Sequence, residues 1–321
     1  MKLIGKQKLR DYFDGLIKKG TLSQFYIIEG ATGVGRKTLV KYISMKIHCE
    51  SHVAPCFKCP ACIKHLTGNH PDYIEIKNAD ADKKNITVDT IRGVSADIFV
   101  KPMISDTKIY ILDDEKPIGA EGQNAFLKIL EEPPSYAVVF LIVKDKSQLL
   151  ETVLSRGILC HVSPCTRRET VDFIKEKFPQ SADMAEFIAE YSGGVLGTAE
   201  KMAAEGEFFQ LRGDFYDTLS KISLGKAQGG CEVVKFFLKN KDNTDVLLNL
   251  LTSWLRDAFV IKTNGKSVLN FDFKNDINTF ASCIGEAEIM NTINAVFDMA
   301  QNFSKGNNLE LWICDVLSNL Y

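Results

Sequence analysis

The sequence predicts a parallel α/β domain at the front of the chain and an all-helical arrangement behind it. Three observations carry that expectation. Phe25-Tyr26-Ile27-Ile28 is an apolar strand running into Gly30-Ala31-Thr32-Gly33-Val34-Gly35 and then a helical pattern, the strand–loop–helix layout of a phosphate-binding P-loop. Lys108–Leu112 and Ala137–Val143 are continuous apolar runs set between helical stretches, as parallel strands buried on both faces read. From Thr166 onward the apolar spacing is helical to the end of the chain.

Taken in order, Leu9, Tyr12, Phe13, Leu16 and Ile17 line one face of a first helix that Gly20 stops. After the strand at Phe25 comes the loop, and the helix behind it carries Leu39, Val40, Ile43 and Ile47 to about His48. The loop departs from the working pattern G-x-x-x-x-G-K-[ST]. Counted from Gly30, the second fixed glycine is Gly35, so Arg36 stands at the lysine position, Lys37 at the hydroxyl position, and Thr38 arrives one residue late. Gly30, Gly33, Gly35, Arg36, Lys37 and Thr38 are thus the candidate phosphate site, with an intact backbone plan and altered chemistry.

Cys49 and the run Cys56-Phe57-Lys58-Cys59-Pro60-Ala61-Cys62 follow. A C-x₂-C-x₂-C knuckle folds three thiolates back toward one point, as tetrahedral zinc requires, and Cys49 offers a fourth from the helix end. His48, His52 and His65 stand close enough to substitute for that fourth ligand. With no carboxylate or open position in the set, the expected ion is structural, and such an ion contributes on the order of 10 kcal/mol to local folding. Buried or disulfide-bonded cysteines are the plainer alternative, but three thiols at this spacing pair poorly with one another.

His70–Ile76 reads as a turn into a second strand, and Ile86-Thr87-Val88-Asp89 leads into a helix through Ile98. The strand Lys108–Leu112 ends in Asp113 and Asp114, the paired acids expected of a strand that holds Mg²⁺ and orients water, although the shorter Asp114 would hold that water less well than a glutamate. Gln123–Glu132 is a helix closed by Pro133-Pro134. Leu149–Leu154 is a short helix ending in Ser155-Arg156-Gly157, and Arg156 by itself reads as a surface or salt-bridged arginine. Thr166-Arg167-Arg168-Glu169 is a capping box opening the helical half, which is broken at Ser192-Gly193-Gly194 and at Gly197. Long amphipathic helices carry Phe215, Phe237, Leu251, Trp254, Phe297, Leu311 and Trp312 toward the end, mostly as bundle core with a minority left for partner subunits.

Composition frames these readings. In 321 residues, 45% are hydrophobic and 25% charged, ordinary for a soluble globular chain with room for two or three cores. A formal net charge of −2 argues against a broadly basic nucleic-acid coat. No apolar run reaches the roughly 20 residues needed to span a bilayer. The opening Met1-Lys2-Leu3-Ile4-Gly5-Lys6 passes straight into an amphipathic pattern, so no secretory signal and a cytoplasmic location are expected.

The order of these motifs resembles the clamp-loader AAA+ ATPases of bacterial DNA polymerase III. The resemblance rests on the knuckle inserted after the P-loop helix, on Ile86-Thr87-Val88-Asp89-Thr90-Ile91-Arg92, on Asn124-Ala125-Phe126-Leu127-Lys128-Ile129-Leu130-Glu131-Glu132-Pro133-Pro134, and on Thr152-Val153-Leu154-Ser155-Arg156-Gly157. The last looks like the family's Ser-Arg-Cys motif with glycine in place of cysteine. It implies three domains: an AAA+ P-loop domain over 1–165 with its knuckle at 49–62, a helical lid over 166–207, and a helical collar over 208–321. It implies a pentameric ring of loader subunits that opens a sliding clamp at primed DNA. In that ring some subunits turn over ATP, while a stator lends an arginine, here Arg156, to a neighbour's ATP. The altered loop, Val143 and Lys144 where a polar sensor stands in relatives, and Gly197 where motor subunits carry a second sensor arginine all agree with a stator that does not bind Mg²⁺-ATP productively. An ATP-hydrolysing motor, and a zinc-knuckle DNA-binding protein that borrowed the fold, are the competing expectations.

Overall fold

The computed structural model describes residues 3–77, 86–113, 118–204, 206–223, 226–265, 267–302 and 308–320. Two compact units divide them: Met1–Lys177 with Ser192–Glu200, and Phe178–Tyr191 with Lys201–Tyr321.

The first unit is built on five parallel strands: β1 (Phe25–Glu29), β2 (Tyr73–Ile76), β3 (Lys108–Asp113), β4 (Ala137–Val143) and β5 (Ile158–His161). They lie in the order β2-β3-β4-β1-β5. The helices are α1 (Gln7–Lys19), α2 (Arg36–His48), α3 (Pro60–Thr67), α4 (Val88–Asp97), α5 (Ala120–Glu131), α6 (Glu151–Leu154) and α7 (Arg167–Lys177). Because successive strand residues point to opposite faces, the central strands β1, β3 and β4 each feed two cores. Tyr26, Ile28, Ile109, Ile111, Phe140 and Ile142 pack with Phe13 of α1 and Leu39, Val40 and Ile43 of α2. Phe25, Ile27, Tyr110, Leu112, Val139 and Leu141 pack with Ile91 and Val94 of α4, Phe126 and Ile129 of α5, and Val153 of α6. Double burial is why β4 is apolar at all seven positions. The architecture is an open parallel α/β sheet covered by helices on both faces, with its loop and strand ends gathered at the carboxyl edge, where such sheets bind ligands.

Three sequence expectations need adjustment. β5 was not foreseen: its Ile158 and Leu159 are exposed, so this edge strand lacks the buried apolar run that marks the others. The short helix expected over Leu149–Leu154 is the single turn α6, which begins two residues later, and a 3₁₀ turn at Lys146–Gln148 precedes it. Asp145 accepts from the Ser147 amide and caps the 3₁₀ turn, while Gln123 accepts from the Leu150 amide between the two. Gly197 does not break a helix; it lies in the first turn of a later helix. The capping box is as read, with the Thr166 amide and hydroxyl donating to Glu169 Oε2 and the Glu169 amide donating back to Thr166 Oγ1.

The edge between α4 and β3 carries a buried cation. Lys108, 4% exposed, donates to Asp97 Oδ2 at 2.9 Å and to the carbonyls of Asp97 and Val100. Burial acts to raise the Asp97 pKa, but hydrogen bonds from Lys108 and Tyr110 outweigh it and hold the carboxyl below its usual range. A carboxylate depressed in the folded state stabilises above its unfolded pKa of about 4 and loses that contribution as pH falls through the folded value. Asp97→Asn should therefore cost about 1 kcal/mol at neutral pH, the half-exposed carboxylate being screened. Urea unfolding of both forms should show that difference shrinking to nothing below pH ~4. A gap that persists into acid would refute the ionic origin.

The second unit is helical: α8 (Ala185–Tyr191), the end of α9 (Leu196–Ala204), α10 (Gly206–Ser220), α11 (Lys226–Lys239), α12 (Thr244–Lys262), α13 (Lys274–Cys283), α14 (Glu286–Asn302) and α15 (Leu309–Ser318). Phe215, Phe237, Leu251, Trp254 and Phe280 are fully buried in one core. Arg212, 2% exposed, enters that core because both of its terminal nitrogens are hydrogen-bonded and its faces are covered by rings. It forks onto Asp272 at 2.6 and 2.7 Å and lies over the rings of Phe187, Tyr216 and Phe273. Phe297 and Leu311 remain more than half exposed. No helix among the described residues is long and apolar enough to cross a membrane.

Candidate functional site

The loop between β1 and α2 keeps the backbone of a phosphate cradle. Gly33 and Gly35 have φ of 83° and 101°, left-handed values that side chains resist, and Gly35 is the N-cap of α2. A cavity of about 840 Å³ opens over this loop and is lined by Gly33, Gly35 and Thr38 from the loop and helix, Asp113 from β3, and Lys144 from the end of β4. Gly33, Gly35, Arg36, Lys37, Thr38 and Asp113 therefore converge, whereas Gly30 does not line the cavity and Asp114 lies outside the described residues.

The chemistry of that convergence is set by Lys37. Its ammonium forms an ion pair with Asp113 Oδ2, on the acid that a nucleotide-hydrolysing loop reserves for Mg²⁺ coordination. The half-exposed Lys37 thus sits against Asp113, and the sequence has no hydroxyl at the position that follows Arg36. Arg36 is buried at 7% exposure against the cavity. Val143, at the end of β4, is buried and apolar, and its carbonyl accepts from the Gly30 amide at 3.1 Å.

Gly197 reaches the loop directly. Its amide donates to the Gly33 carbonyl at 2.9 Å, and a Cβ on Gly197 would come within 2.8 Å of Gly33 Cα. Where a sensor arginine was sought, the backbone itself is packed against the P-loop, and a side chain there would have to force the two segments apart. Lys6 was missed by the sequence reading: it is 5% exposed, lines the same cavity, and donates to the Ser163 carbonyl and to Cys165 Sγ. No motif signals it, because its partners lie across the unit.

Arg156 is remote from these residues in chemistry. It follows α6, donates through Nη1 to the Thr152 carbonyl at 2.9 Å, and pairs through Nη2 with Glu131 at 3.1 Å. Its side chain is 35% exposed, so the salt-bridged surface arginine expected from the sequence is what stands there. Gly157 is empty of side chain for a packing reason: a Cβ would meet the buried Phe25 ring at 2.7 Å and Ile27 at 2.8 Å.

The four cysteines meet. Cys49, Cys56, Cys59 and Cys62 bring their Sγ atoms within 4.8 Å of one another, with Cys49 and Cys59 at 4.0 Å. Tetrahedral zinc with Zn–S near 2.3 Å needs sulfur separations of about 3.8 Å. Backbone amides of Cys56, Cys59 and Cys62 donate to Cys49, Cys56 and Cys59 Sγ respectively, contacts that suit thiolates better than thiols. Amide hydrogen bonds from Lys58 and Cys59 bring the Cys56 pKa down to about 6, whereas burial pushes Cys49 and Cys62 up. Four such sulfurs can ionise together only around a cation, so the donor set fits a closed metal site. The histidines weighed as substitutes do not join it: His52 is exposed, and His48 and His65 turn to a separate cluster with His70.

The geometry defines an α/β P-loop protein whose phosphate loop carries its own cation and whose sheet supports a four-thiol knuckle. The chain belongs to the DNA polymerase III delta subunit family: residues 5–166 match the model described as DNA polymerase III, delta subunit, and residues 206–320 that of its C-terminal region. Among curated relatives, DNA polymerase III subunit delta' of Escherichia coli K12 is 24% identical over 96% of this chain and 93% of its own length. The delta' subunit of Bacillus subtilis 168 is 24% identical over 92% and 89%. Subunit gamma of Buchnera aphidicola subsp. Schizaphis graminum is 26% identical over 62% of this chain, and the match spans 55% of that relative.

Proposed function

We propose that this chain is the stator of a replicative clamp loader: a subunit that assembles with ATP-hydrolysing subunits and a delta-like subunit, helps open the sliding clamp and load it at primed DNA, and does not itself turn over ATP. The observation that carries this reading is the Lys37–Asp113 ion pair, a fixed cation on the acid that would hold Mg²⁺. The apolar Val143 and the Gly197 backbone seated on Gly33 support it from two other sides of the loop. The ring is proposed to be pentameric, with an AAA+ domain over 1–165, a lid over 166–207 and a collar over 208–321. Exposed Phe297 and Leu311 supply apolar surface suited to collar contacts. Arg156 acts in trans on a neighbour's ATP, leaving Glu131 to do so. Cys49, Cys56, Cys59 and Cys62 hold a structural Zn²⁺ that shapes the knuckle.

A second reading, an ATP-hydrolysing motor, draws on the cavity and the retained glycine geometry of the loop. Equilibrium binding of a fluorescent ATP analogue to the full chain, with and without Mg²⁺, separates the two. The stator gains no affinity from Mg²⁺ and shows no turnover. Micromolar, Mg²⁺-dependent binding with turnover would reverse the assignment.

A further inference from the structure

Beside the thiols lies a second group of ligand-type side chains that the proposed function does not use. His48 at the end of α2, His65 in α3 and His70 in the turn before β2 are 6%, 1% and 4% exposed. Their rings stack: His70 lies 4.3 Å from His48 and 4.4 Å from His65, centroid to centroid. One ring nitrogen of each lies within 4.8 Å of the other two.

The hydrogens can be assigned one by one. The Thr107 carbonyl only accepts, so His48 Nε2, at 2.9 Å from it, carries the hydrogen and His48 Nδ1 presents a lone pair. That lone pair faces His65 Nε2 at 2.8 Å, so the hydrogen between them belongs to His65. His65 Nδ1 is then a bare acceptor, buried and without a partner. On the other side the Asp72 amide donates to His70 Nδ1 at 3.2 Å, which leaves the His70 Nε2–H buried and likewise unpartnered. Two buried nitrogens without a protein partner cost free energy that leucine or methionine, filling the same space, would not.

We propose that His48, His65 and His70 hold a second divalent transition ion, zinc or a neighbour of the same borderline class, separate from the ion of the four thiols. Imidazole nitrogens suit such ions and reject Mg²⁺ and Ca²⁺. The ion takes the place of the hydrogen between His48 Nδ1 and His65, with one nitrogen of His70 as the third ligand. At Zn–N distances of 2.0–2.1 Å the 2.8 Å separation opens to about 3.3 Å. Each ring keeps a single N–H, so loading is a change of tautomer with no proton released. The longest contact, that of the Asp72 amide, is the one given up. His48 keeps its Nε2–H on the Thr107 carbonyl, the outer contact that fixes a metal-bound imidazole in its tautomer. The ion ties the ends of α2 and α3 to the turn before β2, holding the knuckle to the sheet. This inference is independent of the loop and of Arg156.

Elemental analysis of the full chain purified with zinc should find two ions per chain, and His48→Leu/His65→Leu should find one. One ion in the wild type, or two in the variant, would overturn the proposal. Should the variant fail to fold, cobalt(II) titration of the metal-exchanged wild-type chain decides. Saturation at two equivalents is expected, with sulfur-to-cobalt charge transfer complete at one and d–d absorption growing through the second. Saturation of all absorption at one equivalent would overturn it.

Discussion

Cys59→Ser should abolish the thiolate-bound ion and unfold the knuckle while the five-stranded sheet survives. Cys59 has three tasks: its sulfur belongs to the four-thiol cluster, it accepts from the Cys62 amide as N-cap of α3, and its own amide donates to Cys56 Sγ. Serine can keep the cap, since a hydroxyl serves there as well as a thiol, but it cannot replace the thiolate. The segment 49–62 has little else to hold it: Phe57 and Val53 are exposed, and Pro55, Ala61 and Cys62 are its few buried side chains. Losing an ion that contributes on the order of 10 kcal/mol should therefore open this region. The expected result is loss of sulfur-to-cobalt charge transfer in the cobalt-loaded variant and new proteolytic cleavage between α2 and β2. Undiminished charge transfer would mean that Cys59 is not a ligand.

Arg156→Ala should slow ATP turnover in the reconstituted loader at the one site that Arg156 serves, by about 10³ or more, while the assembly stays intact. An arginine supplied from a neighbour neutralises charge that develops on the transferred phosphoryl, and about 4 kcal/mol of barrier is at stake at the lower end of that range. Within the chain, removing it costs little, since its pairing with Glu131 is half-exposed. That asymmetry makes the test clean: stability and association unchanged, turnover lost. Arg156→Lys should not rescue, because an ammonium lacks the planar fork. Unchanged turnover at every site in the alanine variant would remove Arg156 from the proposed role.

Much of this was legible in advance. β1, β3 and β4 announce themselves because strands buried on both faces carry continuous apolar runs, and the P-loop, knuckle and capping box depend on spacing within a few residues. β5 escaped because an edge strand with Ile158, Leu159 and His161 exposed carries no such run. The histidine cluster escaped for a different reason. His48 and His65 are 17 residues apart and were read as alternatives for a single ligand position, while His70 sits in a turn whose folding back could not be inferred locally.

Local order along the chain was enough to read a strand–glycine loop–helix turn with Arg36 and Lys37 at the lysine and hydroxyl positions, and four thiols spaced for one ion. Spacing is short-range chemistry, and short-range chemistry is written in consecutive residues. That Lys37 turns to Asp113, 76 positions on, that Gly197 seats on Gly33, and that Lys6 reaches Ser163 required the folded sheet. Charge pairs and close backbone approaches depend on distances in space, and those exist only after the strands have chosen their order.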